Sequence, residues 1–192
     1  MTIIVNDNFT RANANPIGGI YSTLTGVSAI QLLSDVAEGT ATAASNGCID
    51  TSNTYTPDQW CSATVGGTWA NGANVWLLIR MTQASSGVRI TLGQGSTTAT
   101  LNFYNGSGFN ANTYIWNLNT PSTTGDNYLI WVNGQNYYLA QNGASCGNYF
   151  DAASTVTSGT VGFGFFTTGV LANSVLSLFQ SGNATNSLAW IT

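Results

Sequence analysis

The chain contains no lysine and no histidine, and its only basic side chains are Arg11, Arg80 and Arg89. Charged residues make up 5% of the sequence, against about 25% in an ordinary soluble domain. Each absence closes a class of chemistry. Without histidine or lysine there is no ready general base near neutral pH, no amine nucleophile and no imidazole metal ligand, and the serine triads that rely on such a base are excluded. Three scattered arginines do not neutralise a phosphate backbone, which argues against nucleic acid. Nor do they draw the chain to an anionic lipid surface. No run of about 18 apolar residues exists to span a membrane, so no membrane partner is expected. Glu38 is the only glutamate. With lysine and glutamate nearly gone, the usual material of soluble helices is missing.

What is present suits strands. The 192 residues are 43% hydrophobic, with six Trp, eight Tyr and eight Phe. Threonine, valine, isoleucine and aromatics fit a pleated, half-buried surface, while glycine and asparagine serve turns. Asn-Gly dipeptides, the strongest short hairpin signal, occur at Asn46-Gly47, Asn71-Gly72, Asn105-Gly106, Asn133-Gly134 and Asn142-Gly143. Between them the pattern predicts strands over 60–65, 75–81, 88–92, 98–104, 113–118, 127–132, 136–140, 161–165 and 175–179. The stretch 29–36 reads as strand rather than helix. Glycines in 159–164 suggest close backbone packing. Many short strands with frequent turn signals predict an all-β, two-sheet antiparallel sandwich. It is expected as one domain over 1–181, with 182–192 as a C-terminal extension.

Aromatics fall on both parities of several strands. In 127–132, Tyr128, Ile130 and Val132 share one face, and Leu129 and Trp131 the other. An aromatic on an outward face predicts a second contact, with a ligand, a layer or a subunit. Trp76 and Arg80 are placed on one face in the same way, with Leu78 between them. An unpaired charge at Arg80, within so apolar a strand, would be costly, and Asp58 is its expected partner. Trp76, Trp116, Trp131 and Arg80 are therefore the candidate contacts for a glycan or a neighbouring subunit. Among the cysteines, Cys48 and Cys61 flank a turn-rich stretch and allow a disulfide, leaving Cys146 over; the alternative is three free thiols packed as small hydrophobes. No Cys-x-x-Cys or Cys/His cluster suggests zinc.

Asp7-Asn8-Phe9-Thr10-Arg11-Ala12, followed by Ile17-Gly18-Gly19, resembles the opening of concanavalin A-like (laminin G-like) jelly-roll domains of phage and bacterial surface proteins. Tyr55-Thr56-Pro57-Asp58-Gln59-Trp60, the strand ending at Arg80, the hairpin at Asn133-Gly134, and Ser158-Gly159-Thr160-Val161-Gly162-Phe163 follow in that group's order. The resemblance implies a jelly roll with one concave sheet. It implies function only loosely, because this fold hosts lectins, glycosidases and structural modules alike. The closing acidic pair of some relatives, a calcium ligand there, is Ser177-Leu178 here. Calcium at Asp7 and a glycan contact at Arg11 are the functional readings of the opening motif, against a structural ion pair between the two.

Glycoside hydrolysis needs two carboxylates about 5–9.5 Å apart, and one glutamate rules out the glucanase-type Glu-x-Asp-x-x-Glu strand. Asp126 and Asp151 lie in turn-like sequence and are read as turn caps. No enzyme is expected, and no cofactor. The leading expectation is a bacteriophage virion structural protein, a capsid decoration or tail-associated subunit. It would act as a homo-oligomer by adhesion to a major capsid or tail protein. The opening 1–7 lacks the basic stretch and apolar run of a secretory signal, which suits synthesis in the host cytoplasm and assembly into a virion. The alternative is a lectin-like glycan-binding module using the concave sheet, with a host surface glycan as partner. A secreted surface or filament subunit, located outside the cell, is the third.

Overall fold

The computed structural model describes residues 1–83, 86–104, 113–169 and 175–184. They form strands without a helix, in two antiparallel sheets. The first sheet holds β1 (Thr2–Asp7), β3 (Ile30–Leu33), β4 (Val36–Gly39), β6 (Gln59–Gly66), β11 (Asn127–Asn133), β12 (Asn136–Gln141), β13 (Ala144–Phe150) and β15 (Val175–Asn183). The second holds β2 (Tyr21–Thr23), β5 (Ser45–Asp50), β7 (Asn74–Met81), β8 (Gly87–Gly93), β9 (Thr98–Tyr104), β10 (Tyr114–Asn117) and β14 (Thr160–Phe166). Their orders are β13-β12-β11-β6-β15-β4-β3 and β10-β9-β8-β7-β14-β5-β2. Strands β1 and β4 share one edge of β15: Asp7 pairs with Phe179, and Ala37 with Leu176. All nine predicted strands form. Segment 29–36 is a hairpin, β3 to β4, turning on Ser34 and Asp35, both at positive φ.

Alternation explains the packing. Leu77 and Ile79 of β7, Ile90 of β8, Leu101 of β9 and Phe163 of β14 point inward from the second sheet. They meet Cys61 and Ala63 of β6, Tyr128 and Ile130 of β11, and Phe179 of β15 from the first. A Cβ at Gly162 would collide with the Cys48 carbonyl, and one at Gly164 with the Asn46 carbonyl and the Trp76 ring. The glycines of β14 thus let it sit between β5 and β7.

The turn signals divide. Asn142 and Gly143, at φ 52° and 81°, make a two-residue turn closed by Gln141 opposite Ala144, the geometry that favours Asn-Gly. Asn133 closes its hairpin against Asn136, so the turn rests on Gly134 and Gln135. Asn71-Gly72 is a turn. Asn46-Gly47 is not: both lie inside β5, where buried Asn46 accepts from the Thr40 and Ala41 amides and donates to the Ala41 and Ala44 carbonyls. Its side chain stabilises the preceding loop. Asn105-Gly106 lies outside the described residues. So do 185–192 of the expected C-terminal extension, whereas its first two residues continue β15.

Cys48 and Cys61 are not joined. Both are buried free thiols, on β5 of the second sheet and β6 of the first, and Cys61 donates to the Leu78 carbonyl at 3.5 Å. Cys146 is also free and half-buried.

Candidate functional site

The residues singled out from the sequence are dispersed. Trp76 packs with Leu78, Ile49 and Leu24 on the outer face of the second sheet. Trp131 packs with Trp60 and Ala140 on the outer face of the first, stacked on Tyr138 with centroids 4.8 Å apart. Trp116 lies in the central core. Exposures of 3%, 5% and 1% for Trp76, Trp131 and Trp116 leave no open ring for a sugar to cover.

Arg80 does not share the face of Trp76. Its φ of 53° falls where the pairing of β7 with β14 slips register. The backbone there turns the side chain inward. The guanidinium donates to the carbonyls of Pro57, Gly134 and Val156 at 2.8–2.9 Å and to the Tyr137 hydroxyl at 3.1 Å. Its expected partner Asp58 stands 3.8 Å away. Arg80 is thus a buried clasp between loops of both sheets. Arg89 lies over the Trp76 ring, 4.7 Å from its centroid.

The carboxylates are separated as well. Asp126 accepts from the Thr123 amide, the Tyr128 hydroxyl, Gln141 and Asn142. Asp151 accepts from the amides of Ala153 and Thr155. Asp126 bonds Gln141, at one end of the β12–β13 hairpin, and Asp151 directly follows Phe150, at the other. Both serve turns, and they do not face one another across a substrate-sized gap. Glu38 is buried and accepts from Gln31 at 2.7 Å.

The opening motif builds a different place. Asp7 ends β1, where one carboxylate oxygen accepts from the Phe9 amide at 2.8 Å and from Arg11 at 2.6 Å. Phe9, at φ 61°, is fully buried and packs its ring edge-on to Phe163. That anchor brings Arg11 back beside Asp7. Between β1 of the first sheet and β2 of the second, a cleft of about 420 Å³ is lined by Asn6, Asp7, Arg11, Ile20, Tyr21 and Asn53. Its size falls within the roughly 300–1,000 Å³ usual for small-ligand sites.

Tyr21 packs its ring on Phe163 and Phe179 and is 6% exposed; its hydroxyl is closed to solvent and lies beside Asp7. Burial first, and then the charge of Asp7, push this phenol well above its usual range, so it stays a neutral donor. Asn53 is held by the buried Asp50 carboxylate, to which it gives its side-chain amide at 2.8 Å; its amide oxygen remains as an acceptor. Asn6 accepts from Gln180 at 3.0 Å and retains its amide protons as donors. The cleft therefore offers donors and acceptors of several kinds beside the apolar side chain of Ile20. Asp7 already has a cation as its partner, and among the described residues no three His, Cys, Asp or Glu side chains converge as a metal site. The sequence flagged Asp7 and Arg11; nothing in it marked Asn6, Tyr21 or Asn53, which only the β1–β2 juxtaposition unites.

No protein-family model and no curated protein matches the chain. Solved structures do. A carbohydrate-binding module, CBM66, from Bacillus subtilis superposes with a TM-score of 0.60 at 12% identity, over 85% of this chain and 92% of that one. A Bacillus subtilis protein of unknown function with a galectin-like fold gives 0.67 at 10% identity, over 97% and 98%. A Bacillus licheniformis β-glucanase gives 0.62 at 12%, over 94% and 98%. With both sheets antiparallel and both faces of the sandwich accounted for, the chain is an all-β jelly-roll sandwich of the concanavalin A-like fold.

Proposed function

We propose that this protein is a non-enzymatic, lectin-like module that binds a glycan in the cleft between β1 and β2. The observation that carries the reading is a cleft of ligand size in which the Asp7–Arg11 pair meets the side-chain amides of Asn6 and Asn53. Sugar hydroxyls each donate and accept, and they are recognised by such mixed sets of carboxylate, guanidinium and amide groups in a partly apolar pocket. The CBM66 neighbour, a carbohydrate-binding module by its own description, adds support. The glucanase neighbour does not lead to an enzyme here, because Asp126, Asp151 and Glu38 are each engaged in separate structural contacts.

The proposed site lies apart from the outer face that carries Trp76. The outer face of the second sheet is filled by Trp76, Leu78 and Ile49, all buried. A glycan array followed by calorimetry on the best ligand tests the proposal. Arg11→Ala and Asn6→Ala should each weaken binding about tenfold, the scale of one hydrogen bond to a charged group or a buried ligand. Unchanged affinity in both variants would remove the cleft from consideration.

Subunit adhesion, as in a virion, is the second reading. One observation favours it: Ile3, 58% exposed, borders an outer-face groove of about 450 Å³ that also touches Met1, Trp60 and Leu129. None of the three solved structures bears on that role. Sedimentation equilibrium of the purified chain, and mass spectrometry of purified particles, would decide it; a monomer missing from particles ends the idea.

A further inference from the structure

Resting on the glycan reading, we infer that the ligand is a neutral glycan, free of sulfate, phosphate and carboxylate groups, and that it binds with almost no dependence on salt. The inference comes from where every basic side chain of the protein goes. The sequence has three, all arginine, and each is engaged by the fold. Arg80 is 3% exposed and gives its donors to three carbonyls and a phenol. Arg89 is half-buried and lies against the Trp76 ring. Arg11 is the one at the cleft, and it stands 2.6 Å from the Asp7 carboxylate.

An anionic sugar entering the cleft would meet Arg11 already compensated. It would also lie beside the Asp7 carboxylate, which accepts hydrogen bonds and offers an anion no donor. Behind Asn53 stands a second, buried carboxylate, Asp50. The whole chain carries a net charge of -4, so the long-range field repels polyanions as well. Neutral hydroxyls suffer neither effect. They donate hydrogen bonds to Asp7 and Asn53 and accept them from Arg11 and Asn6.

The test compares neutral oligosaccharides of glucan, mannan, galactan and fructan type with polygalacturonate, chondroitin sulfate and heparin fragments. Binding is measured from about 20 mM to about 500 mM NaCl, across which the screening length shrinks several-fold. The expected result is binding to at least one neutral ligand, with affinity changing less than about twofold over that range, as suits contacts between uncharged groups. Asp7→Asn keeps an acceptor for the Phe9 amide but leaves Arg11 uncompensated. It should raise binding of the anionic set relative to the neutral one. Binding confined to anionic glycans, or a loss of about tenfold with salt, overturns the neutral-ligand inference and leaves the glycan reading standing. A protein that binds no member of either set overturns the glycan reading itself, and the inference with it.

Discussion

Arg80 donates to the hydroxyl of Tyr137 at 3.1 Å while its guanidinium carbon lies 5.5 Å from the centre of the same ring. A strand of the second sheet thereby holds a core aromatic of the first. The same side chain satisfies loop carbonyls on either side. This is a structural use of a cation in a protein that has few.

Replacing Arg80 should therefore damage the fold rather than a ligand site. The Val156 carbonyl is buried, and a buried carbonyl left short of a donor costs about 1–3 kcal/mol, so Arg80→Met should lose stability on that order. Urea unfolding measures this directly. A loss below about 1 kcal/mol would mean that water replaces the guanidinium at little cost.

Tyr21 should act through the fold alone. Its hydroxyl is closed to solvent beside Asp7, so Tyr21→Phe should cost no more than one hydrogen bond to a charged group, about 1–3 kcal/mol by thermal unfolding, and leave glycan affinity unchanged. A fall in affinity at unchanged stability would show that the hydroxyl reaches the ligand.

Asp126 gives the fold an acid-sensitive element. Burial alone would raise its carboxyl, but the bonds from Asn142, the Thr123 amide, Gln141 and Tyr128 outweigh it and hold the group below its ordinary value. The unfolded chain, titrating near about 3.9, takes up the proton first. Stability from this network is therefore present above that value and is lost as pH falls through the folded one. Unfolding midpoints between neutral and acid pH should fall less steeply for Asp126→Asn than for the parent protein. Parallel slopes would assign the acid sensitivity elsewhere.

The thiols should be ranked by burial. Burial raises the Cys48 and Cys61 thiols well above their usual range, and it raises half-buried Cys146 as well. Iodoacetamide on the native protein should label Cys146 first, and the other two only on unfolding. Reductant should leave the unfolding midpoint unchanged. A shift on reduction would show that Cys48 and Cys61 are joined.

Periodicity made the architecture legible where strands have one buried face, as in β8, where Val88, Ile90 and Leu92 alternate with Arg89, Thr91 and Gly93. It failed where that condition fails. Strand β13 is an edge strand, largely exposed, and its Ala-Ser-Cys-Gly-Asn-Tyr-Phe shows no alternation. Strand β5 buries polar Asn46 and Asp50 because their side chains satisfy neighbouring loops, so it reads as a turn. The inward swing of Arg80 depends on a left-handed backbone at a register slip, which side-chain type does not signal. For the candidate site, Asp7 and Arg11 are four positions apart and could be read together. Tyr21 and Asn53 join them only through the folding of distant segments.

The bond between the first strand and the last has a kinetic consequence. Along β15, β1 pairs from Phe179 to Asn183 and β6 along nearly its whole length. While the chain is being made, Asp7 and its neighbours must wait for the stretch that begins at Val175 to emerge, roughly ten to thirty seconds at ordinary elongation speeds. Until then both the newborn N-terminal edge and β6 stand open to strangers. Nascent molecules should thus depend on chaperone shelter or swift completion, and ribosome-stalled fragments ending before 175 should aggregate where the finished chain does not.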